Sequence, residues 1–404
     1  MPGRATSPIA ETIERSPILG RLGDDLEISV VTSLEGFMAL QGDWDDLFER
    51  AAAPQQVFQR HIFLRYWTRH YLDAKTQLSI LTGRIDGRLV TVWPLVRRRE
   101  LGIDTLGFMG APVAQFGDVL VEAGDTAHAL LEVGWNAVEA LGADMFWARR
   151  VRSDAALCGS AIAVGACLPG DVQAPFACLS RRVTADGPGI AYSARERSNY
   201  RRRLRRLRER GDIGFSEPGS GQAAEAAVAS AIAIKKNWLL ENAILSPTVM
   251  DTRFQAFFED LAGDLATGLH VSAITRDGRA IGVDLSFDCK GHTFGHVLAT
   301  DPGYEREGLG RLLIHRTFAA AAHRGNTIFD LLAPADCYKM QHADGLVAIR
   351  DYAFAYSWRG RLLRALVLAR LQPMAKALAK RLPAALVQKL VMRKIRAGQS
   401  SQSS

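Results

Sequence analysis

Cysteine is scarce in this chain of 404 residues: Cys158, Cys167, Cys178, Cys289 and Cys337. The number is odd and no Cys-x-x-Cys occurs. That excludes a disulfide framework and a cysteine zinc site, and it fits a reduced, cytoplasmic protein. His61 and His70 have no second ligand at metal spacing, so no metal is expected. No uncharged apolar run reaches about 18 residues, so no membrane-spanning helix is expected. Met1 to Asp25 has no long apolar core and carries acids. It reads as a disordered lead-in, not as a secretory signal.

Acid is missing from one long stretch and sparse in another. Tyr352 to Ser404 holds eleven Lys and Arg and no Asp or Glu, and Arg195 to Arg210 holds nine arginines against two glutamates. The rest of the chain carries 30 bases against 41 acids, so the net charge of +7 hides an acidic body with two basic segments. Hydrophobic content of 48% and charged content of 23% suit a globular protein long enough for two core-forming domains.

Phe294 to Lys339 carries the most information. Phe294–Thr300 mixes apolar and β-branched residues, which predicts a strand. Asp301-Pro302-Gly303 stops it. Gly308-Leu309-Gly310 then opens a helical pattern with Leu309, Leu312, Leu313 and Phe318 near one face and Gly325 as the stop. Thr327–Leu332 reads as a second strand holding Asp330. A glycine loop between a strand and a helix N-terminus is a phosphate cradle, because free N–H groups point outward and the helix dipole favours negative charge. That chemistry suits the pyrophosphate of coenzyme A.

On these residues the stretch resembles the acyl-CoA-binding half of GNAT acyltransferases. More closely it resembles the CelD/BcsL-type acetyltransferases linked to cellulose and exopolysaccharide biosynthesis. The matching motifs are Tyr304, the helix start Gly308 to Leu313, Phe329-Asp330 and Tyr338-Lys339. Gly308-Leu309-Gly310 stands where that family has Ser-Pro-Gly, and Glu305 stands where the general GNAT loop has Gln or Arg. Earlier matches are Phe58-Gln59 with Trp67, the arginine helix ending at Leu207-Arg208-Glu209-Arg210-Gly211, and Lys235 with Trp238-Leu239.

The periodicities predict an order of elements. A strand at Glu27–Ser33 precedes a helix over Leu34–Ala53 and an aromatic helix over Phe58–Tyr71. Leu78–Arg84 and Arg88–Arg98 form a hairpin about Asp86-Gly87, and Leu101–Gly110 and Val119–Glu122 continue its sheet. A helix at Thr126–Leu141 and a strand at Met145–Val151 follow. Later come helices at Gln222–Glu241 and Phe254–Ala266 and strands at Leu269–Thr275, Arg279–Asp288 and His292–Thr300. With the resemblance, this implies an α/β (α+β) fold: two GNAT-like halves with mixed sheets flanked by helices, plus a basic C-terminal helical tail. The expected divisions are a lead-in at 1–25, an acceptor-side half at 26–186 and an arginine-rich linker helix at 187–218. A coenzyme-side half follows at 219–358, then the tail at 359–404.

Three readings of the arginine helix stand. It is a solvated bridge, an anion site for phosphates of the coenzyme or a phospho-sugar, or a nucleic-acid surface. The last lacks stacking aromatics beyond Tyr200, and no specific nucleic acid is expected. Two readings of the tail stand. It lies on the inner membrane face through 359–396, as a basic amphipathic helix can, or it packs on the body.

The resemblance implies roles. Acyl-CoA, acetyl-CoA or another, is the co-substrate. Backbone N–H groups of Val297, Leu298 and Ala299 polarise the thioester carbonyl, with His296 on the same strand as a weaker candidate base. Gly308, Leu309 and Gly310 hold the pyrophosphate, with Arg306 and Arg311 as charge partners. Asp330 is base or orienter, Tyr338 is general acid to the thiolate, and Lys339 binds an acidic acceptor group. Cys337 and His315 read as packing residues. The implied activity is acyl transfer to a hydroxyl or amine of a small-molecule or glycan acceptor, an envelope or exopolysaccharide precursor. Two alternatives are a FemABX-like transferase using aminoacyl-tRNA, and a degenerate GNAT scaffold of a membrane glycan-synthesis complex.

Overall fold

The computed structural model describes residues 26–366 except Leu101, 160–166, Asp171, 185–186, Ala243 and Leu245. The expected lead-in, and the tail beyond Leu366, lie outside the described residues. Two compact units divide the described chain. The first holds residues up to Gln173 and the segment from Val347, and the second holds Ala174–Leu346. Neither boundary falls where the sequence suggested.

In the first unit, β1 (Leu26–Val31), β3 (Ile80–Ile85), β4 (Arg88–Trp93) and β7 (Leu120–Val121) pair antiparallel in the order β1-β3-β4-β7. A second set runs β17 (Gly345–Ala355), β8 (Met145–Arg152), β6 (Ile103–Phe108), β5 (Leu95–Glu100) and β2 (Thr76–Leu78). The hairpin turn at Asp86-Gly87 forms as expected, with φ of 50° and 74°. Its second strand does not continue to Arg98. Pro94 has no N–H for a ladder, and there the chain passes from one sheet to the other. The strands at Ile103–Phe108 and Leu120–Val121 therefore lie in different sheets.

The expected helix over Leu34–Ala53 is two helices, α1 (Leu34–Ala39) and α2 (Gln41–Ala51), joined at Leu40. The aromatic segment is a 3-10 turn, Pro54–Gln59, followed by α3 (His61–Tyr71). Helix α4 (Ala127–Ala140) closes the core about Trp93, Leu130 and Phe146. Gly134 lies against the Trp93 indole, where a Cβ would come within 2.3 Å of Nε1. Gly134→Leu is expected to destabilise this unit by about 3 kcal/mol through overpacking. Denaturant unfolding followed by tryptophan fluorescence reads the shift.

The second unit holds a small antiparallel pair, β10 (Val183–Thr184) and β11 (Gly187–Pro188). Its main strands run in the order β12 (Ile213–Ser216), β13 (Leu269–Arg276), β14 (Arg279–Cys289), β15 (His292–Thr300), β16 (Ile328–Asp330) and β9 (Val172–Cys178). Two positive-φ turns, Asp277-Gly278 and Lys290-Gly291, close the hairpins of β13, β14 and β15 as the sequence predicts. Helices α5 (Ala194–Arg208) and α8 (Leu309–His323) cover one face through Tyr200, Leu207, Leu309 and Leu313 packed on Ile274 and Ile281. On the other face α6 (Gln222–Glu241) lies beside α7 (Thr252–Ala262), whose Phe258 meets Phe287. The two units are thus each a mixed α/β layer of sheet and helix.

The arginine helix is not a linker. Ser193 and Glu196 form a capping box at its start, and its buried Tyr200 and Leu207 belong to the second unit's core.

Candidate functional site

The second unit contains a cleft of about 670 Å³, a size suited to a small ligand. Strand β15 forms its floor. One edge of β15 pairs with β14 along its length, but the other meets β16 only from His292 to Phe294. From Gly295 onward that second edge carries no ladder among the described residues. The strand also bulges. Leu285 pairs with Val297 and Ser286 with Gly295, which leaves His296 as the extra residue. A strand edge freed in this way can take an extended amide chain as an added strand.

Leu298 and Ala299 line the cleft. Val297 does not. It is buried and paired with Leu285, on the face that α7 covers. The His296 ring lies 4.9 Å from Phe258, on that same face, so its place is in the packing and not at the cleft.

The loop after β15 is held in place by its own acids and by the arginine helix. Asp301 accepts from the Gly303 amide at 2.9 Å. Arg210 donates to the Gly303 carbonyl at 2.9 Å and to Glu307 at 3.0 Å, with its guanidinium 4.5 Å from the Tyr304 ring centre. Gly308 then takes the left-handed conformation, φ 73°, that only glycine adopts without strain. It is the N-cap of α8 and offers no capping side chain. Ser193, Asp251 and Ser33 do cap α5, α7 and α1. The first-turn amides of Leu309 and Gly310 have no intrahelical acceptor and stay available to an anion. Gly308, Leu309, Gly310, Arg306 and Arg311 all line the cleft, so the structure brings the expected phosphate residues together.

The three expected catalytic residues separate. Tyr338, on the short helix α9 (Cys337–Met340), lines the cleft and is 39% exposed. Burial of its hydroxyl, then Asp336 and Asp284, push it above the usual phenol range, so it stays protonated. Asp330 and Lys339 are not among the lining residues. Asp330 is 3% exposed and accepts the Leu332 amide at 2.8 Å. Lys339 is 9% exposed and donates to the Leu332 carbonyl at 2.9 Å. Both grip one backbone unit, Leu332, which has φ 55°. Asp330 caps a strained turn and is buried there. Burial pushes the Lys339 ammonium down to about 8, and Lys235 nearby pushes the same way.

Among the cleft residues that were not predicted for the site are Arg203, Lys235, Trp238 and Asp336. Lys235 and Trp238 belong to the Lys-x-x-Trp-Leu segment, so their motif was legible without their role. Their spacing of three puts both on one side of α6, with Lys235 Nζ 4.8 Å from the Trp238 ring centre. Burial lowers the Lys235 ammonium and Asp336 opposes this. Cys337 is exposed beside the cleft. His315 is buried against Tyr192 and Tyr200 and is pushed down to about 4, first by burial. It is a neutral packing residue of the core.

Under the site, β14 carries a buried carboxyl. Asp284 is 1% exposed, sits opposite Leu298, and leaves Oδ2 without a partner among the described residues. Burial raises it to about 7 from 3.8. A raised carboxyl binds a proton in the folded state that the unfolded chain releases, so stability falls as pH climbs from about 4 to 7. Asp284→Asn is expected to stabilise the protein by about 2 kcal/mol or more at pH 8 and to be near neutral at pH 4. Thermal melts at the two pH values read the difference.

Comparison with known proteins fits this geometry. Residues 194–340 match the family model described as acetyltransferase (GNAT) domain. The matched stretch lies inside the second unit, opening at the first residue of α5 and closing at the last of α9. No curated protein matches the chain in sequence. Among solved structures, FemX aligns over 84% of this chain and 99% of its own, at 10% identity and a TM-score of 0.56. A conserved protein of unknown function from Bacteroides thetaiotaomicron aligns over 81% and 100%, at 11% identity and 0.51. A tandem GNAT protein from the clavulanic acid biosynthesis pathway aligns over 82% and 99%, at 16% identity and 0.47. The first two likenesses show the fold. The chain carries a GNAT-type acyltransferase fold, with the arginine helix as the first element of the matched domain.

Proposed function

We propose that this protein is an acyl-CoA-dependent acyltransferase that moves an acetyl or other acyl group to a hydroxyl or amine. The observation that carries the reading is one cleft combining a free strand edge, a glycine-opened helix N-terminus and a set of arginines. The edge of β15 suits the amides of a pantetheine arm, and the start of α8 suits a diphosphate. An acceptor oxygen or nitrogen attacks the thioester carbonyl, whose developing negative charge is stabilised by the strand N–H of Leu298, which the register with β14 points to the other edge. As the carbon–sulfur bond breaks, Tyr338 gives its proton to the thiolate. Lys235, held below its usual range by burial, is the candidate to take the acceptor's proton. Asp330 and Lys339 act indirectly, by fixing the Leu332 turn that precedes α9.

Sequence resemblance supports an envelope or exopolysaccharide precursor as acceptor. The test is release of free thiol from acetyl-CoA in the presence of such precursors, followed with a thiol-reactive dye. Release that depends on both acceptor and enzyme supports the reading, and a flat signal with every acyl-CoA and acceptor refutes it.

One observation favours a second reading, transfer from aminoacyl-tRNA. Arg201, Arg202, Arg205 and Arg206 are exposed on α5. Stabilisation by RNA, with none by coenzyme A, selects that reading. A basic tail touching an anionic membrane, and a cytoplasmic location, complete the proposal. Among the described residues, no helix is long and apolar enough to cross a membrane.

A further inference from the structure

The arginines of α5 are not equivalent. Tyr200 and Leu207 are the helix's buried residues, and Arg203 lies three residues after one and four before the other. That spacing puts Arg203 on the inward side of the helix. It is half-buried, whereas Arg201, Arg202, Arg205 and Arg206 are exposed. Its stem crosses directly over Gly308: a Cβ there would sit 2.6 Å from Arg203 Cδ and 2.7 Å from Nε. Gly308 thus needs to be glycine twice over, for its φ of 73° and for the arginine laid against it.

Arg203, Arg306 and Arg311 line the same cleft around the N-terminus of α8. Elsewhere in this unit arginines near acids are paired: Arg182 with Asp344, Arg210 with Glu307, Arg324 with Asp288. Among the described residues no acid is bonded to Arg203, and Arg311 repels it. The acids at the loop are placed elsewhere. Glu307 is bound to Arg210, Asp301 caps its own turn, and Glu305 lies exposed at the rim. Asp336 also lines the cleft and Glu196 attracts Arg311, but among the described residues no acid is bonded to any of the three arginines. Converging cations with no bonded acid, beside helix amides without an intrahelical acceptor, form a site completed by a bound anion.

We propose that Arg203 is a diphosphate ligand of the acyl donor, clamping the group against the first turn of α8 from the side opposite the loop. The proposal rests on the acyl-CoA reading above. Its position on a helix anchored by a capping box and two buried side chains makes the clamp preformed and limits the ordering cost of binding. A guanidinium suits the role because its planar fork takes two phosphate oxygens at once.

The test is calorimetric titration of the full chain with coenzyme A, 3′-dephospho-coenzyme A and pantetheine. Arg203→Gln, Arg203→Lys and, as a control on the exposed face, Arg206→Gln are compared with wild type. Arg203→Gln is expected to weaken coenzyme A and its dephospho form about tenfold each and to leave pantetheine unchanged. Arg203→Lys should recover part of the loss, and Arg206→Gln should bind as wild type. If Arg203→Gln binds both nucleotides within twofold of wild type, the clamp is refuted while the acyl-CoA reading survives. A loss confined to coenzyme A itself refutes the diphosphate placement. If wild type binds neither nucleotide, the acyl-CoA reading fails and the clamp with it. Should Arg203→Gln not fold, equal affinity of wild type and Arg203→Lys for the nucleotides and for pantetheine refutes the proposal.

Discussion

Gly310→Glu is expected to abolish binding of coenzyme A while leaving the protein folded. Position 310 lies in the first turn of α8 and lines the cleft. A Cβ there meets nothing nearer than Thr300 Oγ1, at 4.0 Å. The residue has helical backbone and no positive φ, so a side chain strains nothing. Glutamate also forms helix well and is favoured near a helix N-terminus. The substitution therefore places a carboxylate where a phosphate would sit without disturbing the core. Two negative charges some 5 Å apart repel by about 3 kcal/mol at an effective dielectric near 20, roughly a hundredfold in affinity. Thermal shift with coenzyme A checks both parts. The unliganded melt should match wild type, and the ligand-induced shift should vanish. Gly310→Ala, which adds no charge, should keep most of the shift.

Asp344→Ala is expected to cost about 3 to 5 kcal/mol of stability in the second unit. Arg182 Nε and Nη2 donate to the Asp344 carboxylate at 3.0 and 2.6 Å, and the Cys178 amide donates to it at 2.8 Å. The Arg182 side chain is only 8% exposed, so removing its partner strands a buried charge, the costly half of breaking a buried pair. Burial alone would raise the Asp344 carboxyl. The Arg182 bonds, then the Cys178 amide, outweigh that and hold it below 3.8. A depressed carboxyl contributes stability that is present above about pH 4 and lost as pH falls through the folded value. The wild type should therefore weaken below about pH 4 by an amount that Asp344→Ala no longer shows. Urea unfolding at pH 7 and pH 3 reads both effects. Because Asp344 follows α9, the variant should also weaken activity that depends on Tyr338.

What the sequence made legible was local chemistry. Asp301-Pro302-Gly303, Gly308-Leu309-Gly310 and Gly325 set the limits of β15 and α8 because proline and glycine act on the backbone where they stand. The Asp86-Gly87, Asp277-Gly278 and Lys290-Gly291 turns are legible for the same reason. Pro94 carried an equal signal, but a run of apolar residues about it read as one strand. Side-chain direction was less accessible. Asp330 sits on the strand expected of it, yet its orientation depends on the left-handed backbone at Leu332, which nothing in the local sequence announces. Lys339 is drawn inward by the carbonyl of that same residue, Leu332. Arg203 is a different case. Its spacing from Tyr200 and Leu207 was open to view, but a charge run that is mostly solvated hides the one member on the apolar stripe. The arginine helix looked like a linker because its stripe is narrow. The leucines of α8 that fill the space beside it lie a hundred residues on.

Binding of an acyl-CoA in the cleft of the second unit underlies every functional role assigned above. Native mass spectrometry of the purified full chain, mixed in turn with a panel of acyl-CoAs, measures this most directly. A one-to-one adduct with at least one acyl-CoA is expected, absent from the Gly310→Glu protein. No adduct with any acyl-CoA, or an adduct of equal strength on the Gly310→Glu protein, would contradict it.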